Sequence, residues 1–443
     1  MLSQEERRSK IGAVVRVSSG NFVEMYDFMV YGYYAKYIGD TFFPSKDAFA
    51  SLMLSLATFG AGYLMRPLGA LVLGAYIDHH GRRKGLLLTL ALMAFGTLTV
   101  AVTPGYATLG VLAPVIIVAG RLVQGLSAGV ELGGVSVYLA EIATPGRRGF
   151  YTAWQSASQQ VAVMFAAAIG VALSLIVPPA TMSVWGWRIP LIIGCMVIPL
   201  IFWFRSSLEE TEVFKRQAVK HSPSQIFALV AANWKVVGTG MLMSIFTTTA
   251  FYLITAYTPT FGKETLHLSA TGVMLVTLAI GASNFFWLPI GGAISDRIGR
   301  SFMLYAVPIA TIATVYPLML WLAAGPSVLK LLLVGLWLSI AFGLYNGSMI
   351  PRLAEIAPPE VRTAAFSLAF SLAAGIFGGF TPAVATWLIH VTGNRAAPGL
   401  WLSCGAALSL LGVFLSRNQG VGMAADFGEQ TGAIVELQPA AAE

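Results

Sequence analysis

Two carboxylates, Glu24 and Asp27, sit three residues apart in the otherwise apolar run SSGNFVEMYDFMVYGYY, residues 18–34. On a helix, Asn21, Glu24, Asp27, Tyr31 and Tyr34 follow at spacings of three and four and share one face. Burial away from water favours a neutral acid, and two neighbouring carboxylates resist double ionisation. Such a pair can hold and release a proton near neutral pH. Two readings of it are open: acids that reach headgroup water from an interfacial stretch, or a proton site on the wall of an internal cavity. In the second reading Asp27, deeper in the run, is the first choice for the proton carrier and Glu24 the second.

The same chemistry calls for cations. In RLVQGLSAGVELGG (121–134), Arg121, Gln124, Ala128 and Glu131 make one helical stripe and Gly125, Gly129 and Gly133 another. Glycines at this spacing let a neighbouring helix approach closely. Arg121 keeps its charge essentially everywhere, so in an apolar setting it needs an anion: Asp27, Glu24 or a bound carboxylate. Arg66, in GYLMRPLGA, either faces a cavity or pairs with a first-helix acid. Gln155, Ser156, Gln159 and Gln160 form a wide polar face whose amides can bind carboxylate oxygens or link helices. Later in the chain Thr247, Thr248, Thr249, Tyr252, Tyr257, Asn284, Trp287, Tyr345, Asn346, Ser367 and Ser371 offer uncharged polar groups for an opposing wall, or for packing.

The elements that must position these residues are membrane helices. Of 443 residues, 56% are hydrophobic and only 11% charged, against about 25% charged in soluble domains; the mean hydropathy is +0.74. Apolar runs near the ~20-residue membrane-crossing length recur throughout, without the period-two alternation of a barrel. Twelve spans are expected, over 14–38, 49–77, 85–103, 108–140, 150–177, 187–205, 234–261, 270–294, 302–323, 328–354, 362–391 and 399–416. The reading is an all-α polytopic membrane protein with a first half over 1–205, a polar linker over 206–233, a second half over 234–416 and a disordered tail over 417–443. The first helix reads as uncleaved, since no small-residue cleavage site follows a short apolar core.

The net charge of +7 does not point to nucleic acid. Its basic residues gather in alternate loops, as at Arg82, Arg83 and Lys84, Arg147 and Arg148, and Arg297 and Arg300. The opposite side keeps Lys36, Lys46, Arg188, Lys263, Lys330 and Arg395. This bias predicts both termini in the cytoplasm. The halves also repeat. GAYIDHHGRR (74–83) aligns with GAISDRIGRS (292–301), and LAEIATPGRR (139–148) with LAEIAPPEVR (353–362), each at the same place in its half. Parallel six-helix repeats imply two bundles facing each other, with a site between them near the midplane. Asp78, Arg82, Glu141, Asp296, Arg300 and Glu355 then mark cytoplasmic gate or latch pairs, Glu141 with Arg147 or Arg148 and Glu355 with Arg362.

At these residues the chain resembles the major facilitator superfamily. Gly74–Lys84 looks like that superfamily's loop between helices two and three, and the 121–134 segment like its fourth-helix motif. SGNFVEMYDF, GYLMRPLGALVLGAYIDHHGRRKG and GVELGGVSVYLAEIATPGRRGFYTAWQSASQQ are similar to the metabolite:proton symporters, whose members carry citrate, 2-oxoglutarate, shikimate, proline and betaine. TTTAFYLITAYTPTFG and SNFFWLPIGGAISDRIGR look closest to the bacterial citrate–proton symporters and their tricarballylate-carrying neighbours. The resemblance implies two six-helix bundles related by a pseudo-two-fold axis and a fourth-helix Arg linked to proton transfer.

The sequence-based expectation is a proton-coupled importer of citrate or tricarballylate, monomeric, in a bacterial inner membrane. The proton is its coupling ion, and no cofactor, metal or nucleic-acid partner is expected. Proton coupling would fall to Asp27, Glu24, Arg121 and Glu131. Substrate contacts would fall to Asn21, Tyr31, Arg66, Arg121, Gln124, Gln155, Gln159, Tyr252, Asn284 and Asn346. A channel would not accumulate substrate, and the paired acids argue against it; a membrane enzyme would need a catalytic cluster, which the sequence does not display. The alternative cargo is another small metabolite: 2-oxoglutarate, shikimate, proline or betaine. The two cysteines, Cys195 and Cys404, lie in separate apolar runs and carry no disulfide or metal signal.

Overall fold

The computed structural model describes residues 12, 14, 21–80, 82–129, 131–206, 228, 230–358 and 362–418. Most of the expected linker and tail, and the side chains of Asp78, Arg82 and Glu131, lie outside the described residues. What is described is helical, without strands. Eight of its helices are long and apolar enough to cross a membrane. Shorter apolar helices at Leu87–Val102, Leu112–Ala128 and Gly186–Pro199 occupy the third, fourth and sixth expected spans. The first span is built from Asn21–Tyr33 and Ala35–Phe42, so the helices fall where the twelve apolar runs predict them.

Local chemistry sets the ends and breaks. Asp47, Ser269 and Ser327 cap their helices by accepting hydrogen bonds from the N–H groups of Phe49, Gly272 and Lys330, the usual work of such residues at exposed N–H ends. Gly393 closes Thr381–Thr392 in the left-handed conformation, φ 65°. The second span breaks at Met65, between Ala48–Leu64 and Arg66–His80. Pro67, the next residue but one, has no N–H to return to the preceding turn and crowds its carbonyl. The break puts Arg66 at mid-span.

Close approach between the second and fourth spans depends on glycine. A Cβ on Gly125 would run into the carbonyl of Gly62, one on Gly129 into the carbonyl of Arg66, and one on Gly69 into the carbonyl of Leu126. A Cβ on Gly62 would stand 3.0 Å from the Arg121 carbonyl. Removing side-chain bulk lets backbones touch, which gives dispersion contact without a hydrophobic drive in lipid. This seam sets Arg66 and Arg121 side by side against the first span.

The helices Arg148–Ile176 and Ala270–Ile298 run along each other from end to end. Ser174 and Thr271 share a 2.9 Å hydrogen bond near one end, Trp154 meets Phe285 edge-on at 5.8 Å, and Gly149 packs on Gly292 at the other end. Inserting a side chain into the glycine seam should overpack it. Gly125→Leu is expected to lower the stability of the purified protein by about 1–3 kcal/mol. Gly238→Ala, inside the helix Trp234–Ile254 where an added Cβ meets no described atom within 4 Å, is expected to hold or raise the melting temperature.

Candidate functional site

Glu24, Asp27, Arg66 and Arg121 are all buried, between 0% and 3% exposed. A single charge at the centre of a bilayer costs about 2.5–3.5 kcal/mol on insertion scales, and these four make two ion pairs, Arg66 with Glu24 and Arg121 with Asp27. Arg66 donates from Nη2 to Glu24 Oε1 at 2.5 Å. Arg121 donates from Nη1 to Asp27 Oδ2 at 2.9 Å and to Gln124 Oε1 at 2.6 Å. Gln124 in turn donates from Nε2 to Thr97 Oγ1 at 3.0 Å, which fixes the amide so that its oxygen faces the guanidinium.

Aromatic rings complete the walls. The Phe28 ring lies 5.1 Å from the Arg66 guanidinium carbon and 4.6 Å from that of Arg121, so one ring serves both cations. Tyr63 covers Arg66 at 4.4 Å and Tyr31 covers Arg121 at 4.3 Å. Desolvated cations gain roughly 2 kcal/mol from such faces. Tyr31 also donates to the Ser55 carbonyl at 3.4 Å. From the second half, Tyr252 meets Tyr63 edge-on at 4.9 Å, which brings the opposing wall to the Arg66 pair. Phe59, 5.9 Å from the Arg121 guanidinium carbon, joins Phe28 and Tyr63 in escaping a reading by residue type, because on paper they are ordinary apolar-face aromatics.

On Arg66 and Arg121, three buried guanidinium nitrogens have no hydrogen-bond acceptor: Arg66 Nε, Arg121 Nε and Arg121 Nη2. Buried donors of this kind are costly unless something meets them. The other expected contacts form a looser ring. Asn21 is buried with neither side-chain polar atom bonded. Gln155 accepts from Ser156 at 2.8 Å and leaves Nε2 unbonded; Gln159 is 7% exposed. Asn284 donates to Gln160 Oε1 across the halves at 3.1 Å. Asn346 accepts from Thr247 at 2.9 Å and keeps a free Nδ2.

At the end predicted to be cytoplasmic, Asp296, Arg300 and Glu355 converge on the start of Arg148–Ile176. Asp296 accepts from the backbone N–H groups of Gly149 and Phe150 at 2.8 and 3.0 Å, and a carboxylate is favoured at a helix N-terminus. Glu355 lies 3.7 Å from Arg148 and is also paired with Arg300. Its described ion pairs are therefore to other spans, not to the expected Arg362. Glu141 is exposed. At the opposite end Lys263 donates to the Tyr37 hydroxyl at 3.1 Å, and Phe49 stacks on His390 at 3.7 Å. The halves thus touch on both sides of the buried charges.

Residues 17–382 match the Major Facilitator Superfamily. The chain belongs to that superfamily. It is 56% identical over 416 residues to the citrate-proton symporter of Klebsiella pneumoniae, covering 94% of each chain. It is 55% identical to that of Salmonella typhi, covering 93% of this chain and 96% of the relative. Its fold is similar to the partially occluded, inward-open xylose transporter XylE of E. coli, with TM-score 0.73 at 16% identity over 92% of this chain and 97% of that one. Within this superfamily fold the ion cluster around Glu355 ties span to span. Glu355→Gln is expected to lengthen the distance between spin labels on Arg148–Ile176 and Val328–Ile356 at that end. An unchanged distance distribution would show that the cluster does not hold the seam.

Proposed function

We propose that this chain is a proton-coupled symporter that imports citrate, with tricarballylate as a second substrate, by alternating access. The observation that carries the reading is its 56% and 55% identity with two citrate-proton symporters, over 94% and 93% of the chain. The buried acid–arginine pairs supply the chemistry. Citrate brings several negative charges into a low-dielectric interior, where fixed cations stabilise it and co-bound protons reduce the charge moved across the field.

Asp27 and Arg121 are the coupling pair. When Asp27 is ionised it holds Arg121. When Asp27 is protonated the guanidinium is released and a substrate carboxylate takes the place of the acid. Proton and substrate therefore need each other, which is coupling in its simplest form. Gln124 holds Arg121 in line, and Glu24 and Glu131 are further acids on the proton route. Asn21, Tyr31, Arg66, Gln155, Gln159, Tyr252, Asn284 and Asn346 line the substrate's path. Asp78, Arg82, Glu141, Asp296, Arg300 and Glu355 gate it.

The protein works as a monomer without a cofactor, in a bacterial inner membrane, with both termini in the cytoplasm. Its halves, 1–205 and 234–416, rock about the site while 206–233 links them. In proteoliposomes, labelled citrate should accumulate when the lumen is made alkaline, and tricarballylate should compete better than 2-oxoglutarate, shikimate or betaine. Uptake that ignores the pH gradient, or strong competition by betaine, would reject the reading. Asp27→Asn should abolish gradient-driven accumulation while the purified protein stays folded and monodisperse; full accumulation by this variant would remove Asp27 from the coupling step.

A further inference from the structure

The outer surface of the second half carries an open groove of about 460 Å³ between the ninth span, Arg300–Ala324, and the tenth, Val328–Ile356. Ala313, Thr314, Pro317 and Leu318 line it from the ninth span and Trp337 from the tenth. It faces lipid: Ala313 and Pro317 are exposed, and so are Leu320, Leu329 and Leu333 around it. The polar side chains within it are already bonded. Trp337 donates from Nε1 to Thr314 Oγ1 at 3.0 Å, and Thr314 donates to the Ala310 carbonyl at 2.7 Å. A polar occupant would leave its own donors unmet there, whereas an acyl chain has none to satisfy.

One end of the groove is cationic. Trp321 follows Pro317 by four residues and Lys330 precedes Trp337 by seven, spacings that keep each pair on one helix face. Lys330 Nζ donates to the Trp321 carbonyl at 3.1 Å and lies 4.9 Å from the centre of the Trp321 ring, so the two helices are joined there. Trp337 lies about 10 Å deeper along the helix axis. The ammonium has three donors. One goes to that carbonyl, and among the described residues no carboxylate pairs with it. The bias of the basic loops puts this end away from the cytoplasm, at headgroup level, where Trp and Lys anchor spans.

We propose that this groove is a binding site for an anionic phospholipid, with the phosphate on Lys330 and one acyl chain laid along Ala313, Pro317 and Trp337. The two parts of the site select different parts of the ligand. The apolar wall accepts the chain of any phospholipid. The ammonium favours a headgroup with net negative charge over a zwitterionic one, which brings its own cation to the mouth.

Native mass spectrometry of the purified full chain, titrated with dioleoylphosphatidylglycerol or dioleoylphosphatidylcholine, gives an apparent Kd for the tightest-held molecule of each. The wild-type chain should hold phosphatidylglycerol roughly fivefold more tightly, the attraction that one surface ammonium offers an anionic headgroup. Lys330→Gln should bring the two lipids to parity. The same change at Lys36, whose ammonium is already on Asp40, should keep the preference. Ala313→Phe should fill the groove and weaken both lipids. Equal affinities in the wild-type chain, or a preference that survives Lys330→Gln, overturns the proposal. Equal loss in Lys36→Gln also overturns it, since binding would then follow net charge alone, and unchanged binding in Ala313→Phe removes the groove as the seat of the chain. Should Ala313→Phe fail to fold, the comparison of Lys330→Gln with the wild-type chain still decides.

Discussion

An arginine inside a membrane protein keeps its charge, so it must keep an anion. Arg66 and Arg121 impose that demand, and much of the first half is arranged to meet it. The acids of the first span stand one helical turn apart, so each can reach a different neighbouring helix. The glycines of the second and fourth spans let those helices close until their carbonyls lie against bare backbone. Phe28, Tyr31 and Tyr63 seal the cations with ring faces where water would otherwise be needed. Buried pairs of this kind are weak sources of stability, because desolvation offsets most of the attraction. In the proposed mechanism the value of the Asp27–Arg121 pair lies in being exchangeable.

The halves divide the work unevenly. The charged side chains at 3% exposure or less among the described residues, Glu24, Asp27, Arg66 and Arg121, all come from the first half. The second half faces them with hydroxyls, amides and rings, as at Thr247, Asn284, Asn346 and Tyr252. A wall without fixed charge can part from the ion pairs without exposing an unpaired ion. Contacts between the halves are correspondingly neutral near the middle, such as Asn284 on Gln160, and charged at the end where Arg148 meets Glu355 and Asp296 accepts from the N–H groups of Gly149 and Phe150.

Much of this was legible in the sequence, because charge inside an apolar run is a conspicuous signal. Glu24, Asp27, Arg66 and Arg121 stand out by type alone, and the Gly125 and Gly129 stripe announces close packing. The pairing was not legible. Both acids are on one helical face and either could serve Arg121; only the placement of the second and fourth spans gives Glu24 to Arg66. The aromatic seal was hidden for the opposite reason, since Phe28 and Phe59 are what any membrane helix carries. Glu355 misled because sequence proximity favours Arg362, whereas the fold brings Arg300 and Arg148 from other spans. Residues such as Gln160 gain their meaning only from a partner in the other half.

In the proposed mechanism a substrate carboxylate displaces Asp27 from Arg121 and leaves Asp27 protonated. Infrared difference spectroscopy on the purified chain reads this directly, because a protonated carboxyl has a carbonyl stretch that a carboxylate lacks. Adding citrate should produce such a band, with its Asp27 component missing from Asp27→Asn. A citrate-bound protein with no protonated-carboxyl band, Asp27 still ionised on Arg121, would contradict the exchange.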